Sequence, residues 1–192
     1  MTELLLSNRQ GVRRVDIGLL RRIARALLTG DRGVREFELG IHLVAAPEMS
    51  RINQQFLGHE GSTDVITFDH AENAADESDS RLHGELFICL NDVVAHARRF
   101  RTRWPAELVR CLVHGVLHLR GFDDSTPAAR RVMKLEEGRL LRELNGRFPL
   151  HRLAKAAPVA QKARRSGSKT RTGNSRRGFP LSKRGGKPRV RR

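Results

Sequence analysis

Three things are scarce in this chain: cysteine, long apolar runs and, after residue 150, negative charge. The two cysteines, Cys89 and Cys111, lie far apart in apolar surroundings. That excludes a disulfide framework and predicts two buried, reduced thiols. No apolar run approaches the ~20 residues that cross a bilayer. The N-terminal stretch Met1 to Ser7 has no basic segment before its short apolar run, so no signal peptide is expected and the composition fits a cytoplasmic protein. Residues 151–192 hold 15 Lys+Arg and no acid, while residues 1–150 hold 22 against 21, so nearly all of the +16 net charge belongs to the end of the chain.

The charge division suggests two regions. Residues 1–150 are long enough to bury a core of their own. Residues 151–192 are Lys, Arg, Gly, Ser and Pro with few large apolar side chains. They cannot bury enough surface to offset the entropy of ordering, which predicts a disordered polybasic tail. A tail of that charge displaces condensed counterions from phosphate and suits contact with an RNA backbone. Phe179 is its only aromatic residue, so it would supply affinity rather than base specificity.

Within the first region, apolar side chains alternate at period two over 37–45, and Val65–Phe68, Glu85–Leu90 and residues 3–7 also read as strands. The all-apolar look of 86–90 suggests burial on both faces. Asp16 is a plausible N-cap for a helix over 17–29. A helix follows Pro47, another is capped by Asn91 or Asp92 and runs to about 101, and Pro105 opens a fourth that reaches about 119. Thr126 and Pro127 start a fifth, with Met133, Leu140, Leu141 and Leu144 as its stripe and Asn145-Gly146 as its stop. The acidic, small-residue segment 70–82 reads as a surface loop. The expected fold is α+β: a small mixed sheet of about four strands packed with about five helices, and a metal site at the end of a central helix.

That site is expected because His114 and His118 are four residues apart on an apolar helix, with Cβ atoms roughly 5–6 Å apart on one face. Unpaired imidazoles on a buried face would be costly. Gly121 then breaks the helix and Asp123 and Asp124 follow, either of which can supply a carboxylate. Two histidines, a carboxylate and one open position form the donor set of a hydrolytic zinc site. Gly115 occupies the place where a thermolysin-like protease carries its general-base Glu, which excludes that mechanism. No residue stands out as a general base. Asp64 could orient a ligating histidine or cap its own loop, and Glu85 could act in acid–base chemistry or in a structural pair. His59, His70 and His83 read as solvated, and His42 and His96 as structural or exposed.

The segment resembles the signature of the YbeY-type endoribonucleases, His-Gly-x-Leu-His-Leu-x-Gly-Tyr/Phe-Asp-His, at His114, Gly115, Leu117, His118, Leu119, Gly121, Phe122 and Asp123. Asn53 with Ser62 to Phe68 is similar to that family's Asn…Pro-Thr-Asp-Val-Leu-Ser-Phe, and Gly84-Glu85-Leu86 to its Gly-Asp-Ile. Met133 with Glu136-Glu137 also fits. The resemblance covers about residues 40–145. It implies a single-strand-specific endoribonuclease holding one zinc ion, acting in maturation of the 3′ end of 16S rRNA and in ribosome quality control, with RNA and the small ribosomal subunit as partners. It places the third ligand at Asp124, where the family has a histidine, so that the metal ligands are His114, His118 and Asp124. Leu57 stands where the family usually has an Arg. Two other readings share these residues: a non-catalytic, zinc-stabilised ribosome assembly factor, and a metal-dependent hydrolase of another substrate.

Overall fold

A computed structural model describes residues 2–30, 36–71, 81–155 and 189–191. The strands are β1 (Thr2–Asn8), β2 (Glu36–Val44), β3 (Val65–Asp69), β4 (Arg81–Cys89) and β5 (Arg189–Arg191). They form one mixed sheet in the order β1-β2-β4-β3-β5, parallel across β1, β2 and β4 and antiparallel on either side of β3. The helices are α1 (Ile17–Leu28), α2 (Ala46–Leu57), α3 (Leu90–Arg99), α4 (Trp104–Leu119) and α5 (Pro127–Arg147). The α+β architecture is the one the sequence predicts, with β5 as an additional short strand.

The sheet has one fully covered face. Leu39, Ile41 and Leu43 of β2, Leu86 and Ile88 of β4 and Val65 of β3 pack there with α1, α3, α4 and α5 in a single apolar core. Most of α4's circumference is apolar, and Leu108, Leu112, Val113, Val116 and Leu117 are completely buried. On the other face α2 covers only one corner, around Val44, Met49, Ile66, Phe68 and Cys89. The expectation that β4 is buried on both faces therefore needs correcting. The strand begins at Arg81, and Leu82, Leu86 and Ile88 are buried while His83, Glu85 and Phe87 are only half-buried.

Two helix caps explain local placement. The Asp16 carboxylate accepts from Leu19 N at 2.9 Å and starts α1 as predicted. Neither Asn91 nor Asp92 is the N-cap of α3, which follows Cys89 without a side-chain cap. Asn91 instead accepts from Ala46 N at 2.9 Å, so it caps the start of α2 across the β2–β4 edge. Helix α5 runs through Asn145-Gly146, because Phe148 N closes its last turn on Leu144 O and the Phe148 ring packs on the core.

Leu150–Leu153 form a 3-10 turn with both leucines buried, and Ala154 bridges to Val15. The packed region thus extends to about Lys155. Residues 156–188, on which most of the expected disordered tail falls, lie outside the described residues, as do residues 72–80 of the expected acidic loop. Cys89 and Cys111 are both free and buried. Burial and the neighbouring Asp92 push the Cys89 thiol up to about 12. Burial also raises Cys111, so neither thiol ionises near neutral pH.

Candidate metal centre

Two glycines make room where helix α4 meets the sheet: Gly115 of α4 faces Leu86 and Thr67, and Gly84 of β4 faces Leu119 of α4. A Cβ on Gly115 would stand 2.6 Å from Leu86 Cδ2 and 3.1 Å from Thr67 Oγ1, and one on Gly84 would stand 2.5 Å from the Phe68 carbonyl oxygen. The Gly84 position meets fixed backbone, and a side chain at Gly115 would force the buried Leu86 to move. Packing at Gly115 adds a structural reason to the absence of a glutamate beside His114.

The C-terminus of α4 is closed by paired backbone bonds of the Schellman type. Phe122 N donates to Leu117 O and Gly121 N to His118 O, both at 3.0 Å, and Gly121 is left-handed with φ 86°. The Phe122 ring packs back on the core. This turn reverses the chain and carries Asp124 over the exposed side of the two histidines. Arg130, in the first turn of α5, donates from Nε and one terminal nitrogen to the Asp124 carbonyl and holds the segment there.

His114 Nε2 and His118 Nε2 are 3.1 Å apart. Asp124 Oδ2 is 4.0 Å from His114 Nε2, and Asp124 Oδ1 is 4.0 Å from His118 Nε2. The outward sides of the rings determine what that close approach means. His118 Nδ1 is 3.1 Å from the Phe122 carbonyl, which can only accept. His114 Nδ1 is 3.2 Å from Glu137 Oε2. Burial works to raise the Glu137 carboxyl, but the hydrogen bond from His114 and the charges of Lys134, His114 and Arg110 outweigh it and hold the group below its ordinary value. Glu137 is therefore an anionic acceptor. The Phe122 carbonyl and the Glu137 carboxylate thus engage the Nδ1 sides of the rings, which turns the two Nε2 atoms inward, toward each other and toward Asp124. In that orientation both can donate to one metal cation.

The donor set fits such a cation. Two donors each about 2.1 Å from a tetrahedral zinc stand about 3.4 Å apart. The observed separations of 3.1 and 4.0 Å bracket that figure. His114, His118 and Asp124 form a group whose donor atoms all lie within 4.8 Å of one another, and it could hold a metal ion. Asp123 is engaged differently, accepting from the Ser125 hydroxyl.

The remaining sequence-predicted residues fall elsewhere. Asp64 accepts from Val65 N at 3.0 Å and contacts Cys111 Sγ at 3.8 Å and His96 Nδ1 at 3.4 Å, one turn of α4 before His114. Glu85 is opposite in sense to Leu86, which faces α4. Its carboxylate lies on the other face of the sheet, bridging His42 and His70. Leu57 packs in the α2 corner. Asn53 ties α2 to the loop before β3 by donating to Gly61 O at 2.9 Å. Sequence reasoning missed Glu137 as the partner of His114. Its signal was present: Glu137 lies on the stripe of Met133, Leu140 and Leu144, and it is buried with them. A carboxylate on an apolar stripe requires a partner.

The α+β domain thus presents two helix-borne histidines and a loop aspartate, anchored from behind by a carboxylate and a carbonyl, as a group that could hold a metal ion. The family model described as Endoribonuclease YbeY matches residues 6–145, and the chain belongs to that family. The Endoribonuclease YbeY of Chlorobium luteolum is 35% identical over 132 residues, covering 69% of this chain and 91% of that protein. That of Chlorobium phaeovibrioides is 42% identical over 96 residues, covering 50% of this chain and 61% of that protein. That of Bacteroides fragilis is 40% identical over 90 residues and is covered over 60% of its length. The last two alignments thus span less than two thirds of those relatives. The solution structure of a Thermotoga maritima protein shares the fold, with a TM-score of 0.57 at 22% identity, covering 83% of this chain and all of that one. No helix among the described residues is long and apolar enough to cross a membrane.

Proposed function

We propose that this protein is a cytoplasmic, single-strand-specific metallo-endoribonuclease that holds one zinc ion on His114, His118 and Asp124. In this reading it acts in maturation of the 3′ end of 16S rRNA and in ribosome quality control, with rRNA of the small subunit as its substrate. The observation that carries the reading is the convergence of the two Nε2 atoms and the Asp124 carboxylate within 4.8 Å of one another, in a chain that belongs to the YbeY endoribonuclease family. A divalent ion held there supplies Lewis-acid polarisation of a phosphodiester oxygen and makes water more acidic.

The chain's own residues prepare that chemistry. Glu137 and the Phe122 carbonyl fix the tautomer and ring orientation of the two histidines, which strengthens their Nε2 atoms as donors. Arg130 and the turn at Gly121 set the position of Asp124. His114 is partly accessible, with 21% of its side chain exposed, while His118 is sealed at 1%. Substrate therefore approaches from the side of His114 and Asp124. The group supplies three donors, which leaves a position for water or a phosphate oxygen and favours catalysis over a closed structural site. Asp124 in place of a family histidine adds negative charge, which suits harder divalent ions better than a third imidazole would. The polybasic tail holds the RNA backbone without reading sequence.

Metal content measured together with cleavage of single-stranded RNA, on wild type and His114→Ala, tests this function. Wild type should carry metal and cleave, and the variant should do neither. Stoichiometric zinc retained by His114→Ala would refute the assignment. Removing residues 156–192 should flatten the salt dependence of RNA binding, whereas an unchanged slope would exclude the tail from RNA contact.

A further inference from the structure

At the opposite end of α4 from the metal centre lies a cavity of about 360 Å³. The end of α3, the start of α4, the segment around Arg13 and the 3-10 turn after α5 enclose it. Arg13, Arg98, Arg103 and His151 border it, as does Trp104. The indole is half-buried and also packs on the main core. Val94 and Ala97 of α3 supply an apolar wall.

The cations around this cavity are not used by the fold. No carboxylate of the described residues pairs with Arg98 or Arg103, which are exposed, and the Arg13 guanidinium donates to the Val12 carbonyl. The carboxylates on adjoining elements are already engaged. Glu107 accepts from Thr102, itself on the pocket wall, and from Arg110, and Asp16 caps α1 and faces Lys155. Three guanidinium groups bordering one concavity favour the entry of an anion. Helix α4 begins there without a side-chain cap, so its first turn adds positive potential.

We propose that this pocket binds one nucleotide of a single-stranded RNA, with the arginines on its phosphate and Trp104 against its base. The inference rests on the RNA-cleaving function proposed above and adds a second contact point to it. An acidic peptide would satisfy the arginines but would leave the indole and the apolar wall without a planar partner. The axial rise of about 1.5 Å per residue places Trp104 roughly 15 to 21 Å from His114 and His118 along α4. A strand held at both points spans several nucleotides, so the pocket fixes where along the strand the metal centre acts.

The chain offers its own probe. Trp104 is the one tryptophan and there is no tyrosine, so tryptophan emission reports on this pocket alone. The experiment titrates the full-length protein with a single-stranded oligoribonucleotide. Trp104 emission is read alongside fluorescence anisotropy of the labelled strand, in wild type, His114→Ala and the double variant Arg98→Ala/Arg103→Ala. The proposal expects saturable quenching in wild type and in His114→Ala. In the double variant it expects roughly tenfold weaker binding and a salt slope lower by about one to two. Anisotropy that saturates while Trp104 emission stays constant overturns it. So does equal binding by the double variant, equal quenching by poly-glutamate, or failure of the strand to bind. Quenching without cleavage by the metal-loaded protein would sink the nuclease function and leave the pocket standing, and cleavage without quenching would do the reverse.

Discussion

The His114–His118 pair and the His42–His70 pair both meet carboxylates, with opposite consequences for their ring nitrogens. On the open face of the sheet, His42 uses both nitrogens: Ser7 Oγ is 2.9 Å from Nδ1, and Glu85 Oε1 is 3.3 Å from Nε2. The other oxygen of Glu85 is 3.5 Å from His70 Nε2. The carboxylate lies between the histidines and consumes the donors that a metal would need. On the helix-covered side, Glu137 and the Phe122 carbonyl engage the outward nitrogens and turn the inward ones toward each other and Asp124. The same residue types thus give an ion-pair cluster in one place and a group that could hold a metal ion in the other. What separates them is which side of the imidazole the acceptor occupies.

The largest test of that contrast is removal of a donor. Asp124→Ala should lose metal binding and cleavage together, whereas Asp123→Ala, which loses the contact to Ser125, should keep both. The reverse result, read by metal titration of each purified variant, would move the ligand role to Asp123. Asp124→His should retain metal, because imidazole and carboxylate both serve as zinc donors.

A smaller effect is expected from the acceptors behind the rings. Glu137→Ala should lower metal affinity about 10- to 100-fold, the usual range for loss of a carboxylate behind a ligating histidine. Glu85→Ala, although it also removes a carboxylate hydrogen-bonded to histidine, should leave metal affinity unchanged. Equal effects from the two variants would erase the distinction between the clusters.

The smallest effect is the open face's share of the pH dependence. Hydrogen bonds from His42 and then His70, with their charges, outweigh burial and lower the Glu85 carboxyl from 4.5 to about 2. A carboxyl lowered on folding stabilises fully above its unfolded value and loses that contribution as pH falls towards the folded one. Wild type should therefore lose stability between about pH 4.5 and about pH 2. In chemical denaturation across that range Glu85→Gln should show a shallower slope than wild type. Parallel curves would mean that the Glu85–histidine contacts contribute nothing to folding.

Much of the architecture was legible because its signals are local. Period two in β2, the short apolar run of β3, Asp16 and Thr126 as caps and Gly121 as a stop all act over a few residues, and the structure places each as expected. Asn91 misled because a capping residue can serve any helix start within reach, and here it serves α2. The exposed half of β4 misled because an apolar run does not say whether a second layer covers it, and α2 reaches only one corner. The pocket at Trp104 left no pattern in the sequence, since its lining comes from four separated segments.

By itself the sequence determined that His114 and His118 share a helix face, that the helix ends at Gly121 and that a carboxylate follows. Helical rise and turn chemistry fix these over short range, whatever the rest of the chain does. Only the tertiary structure decided that the two Nε2 atoms are turned toward each other and toward Asp124. That depends on the packing of α5 against α4, which puts Glu137 on the far side of His114. It depends also on the close α4–sheet approach that Gly84 and Gly115 permit. Side-chain partners across elements are set by packing distances of a few tenths of an ångström, which no local pattern encodes.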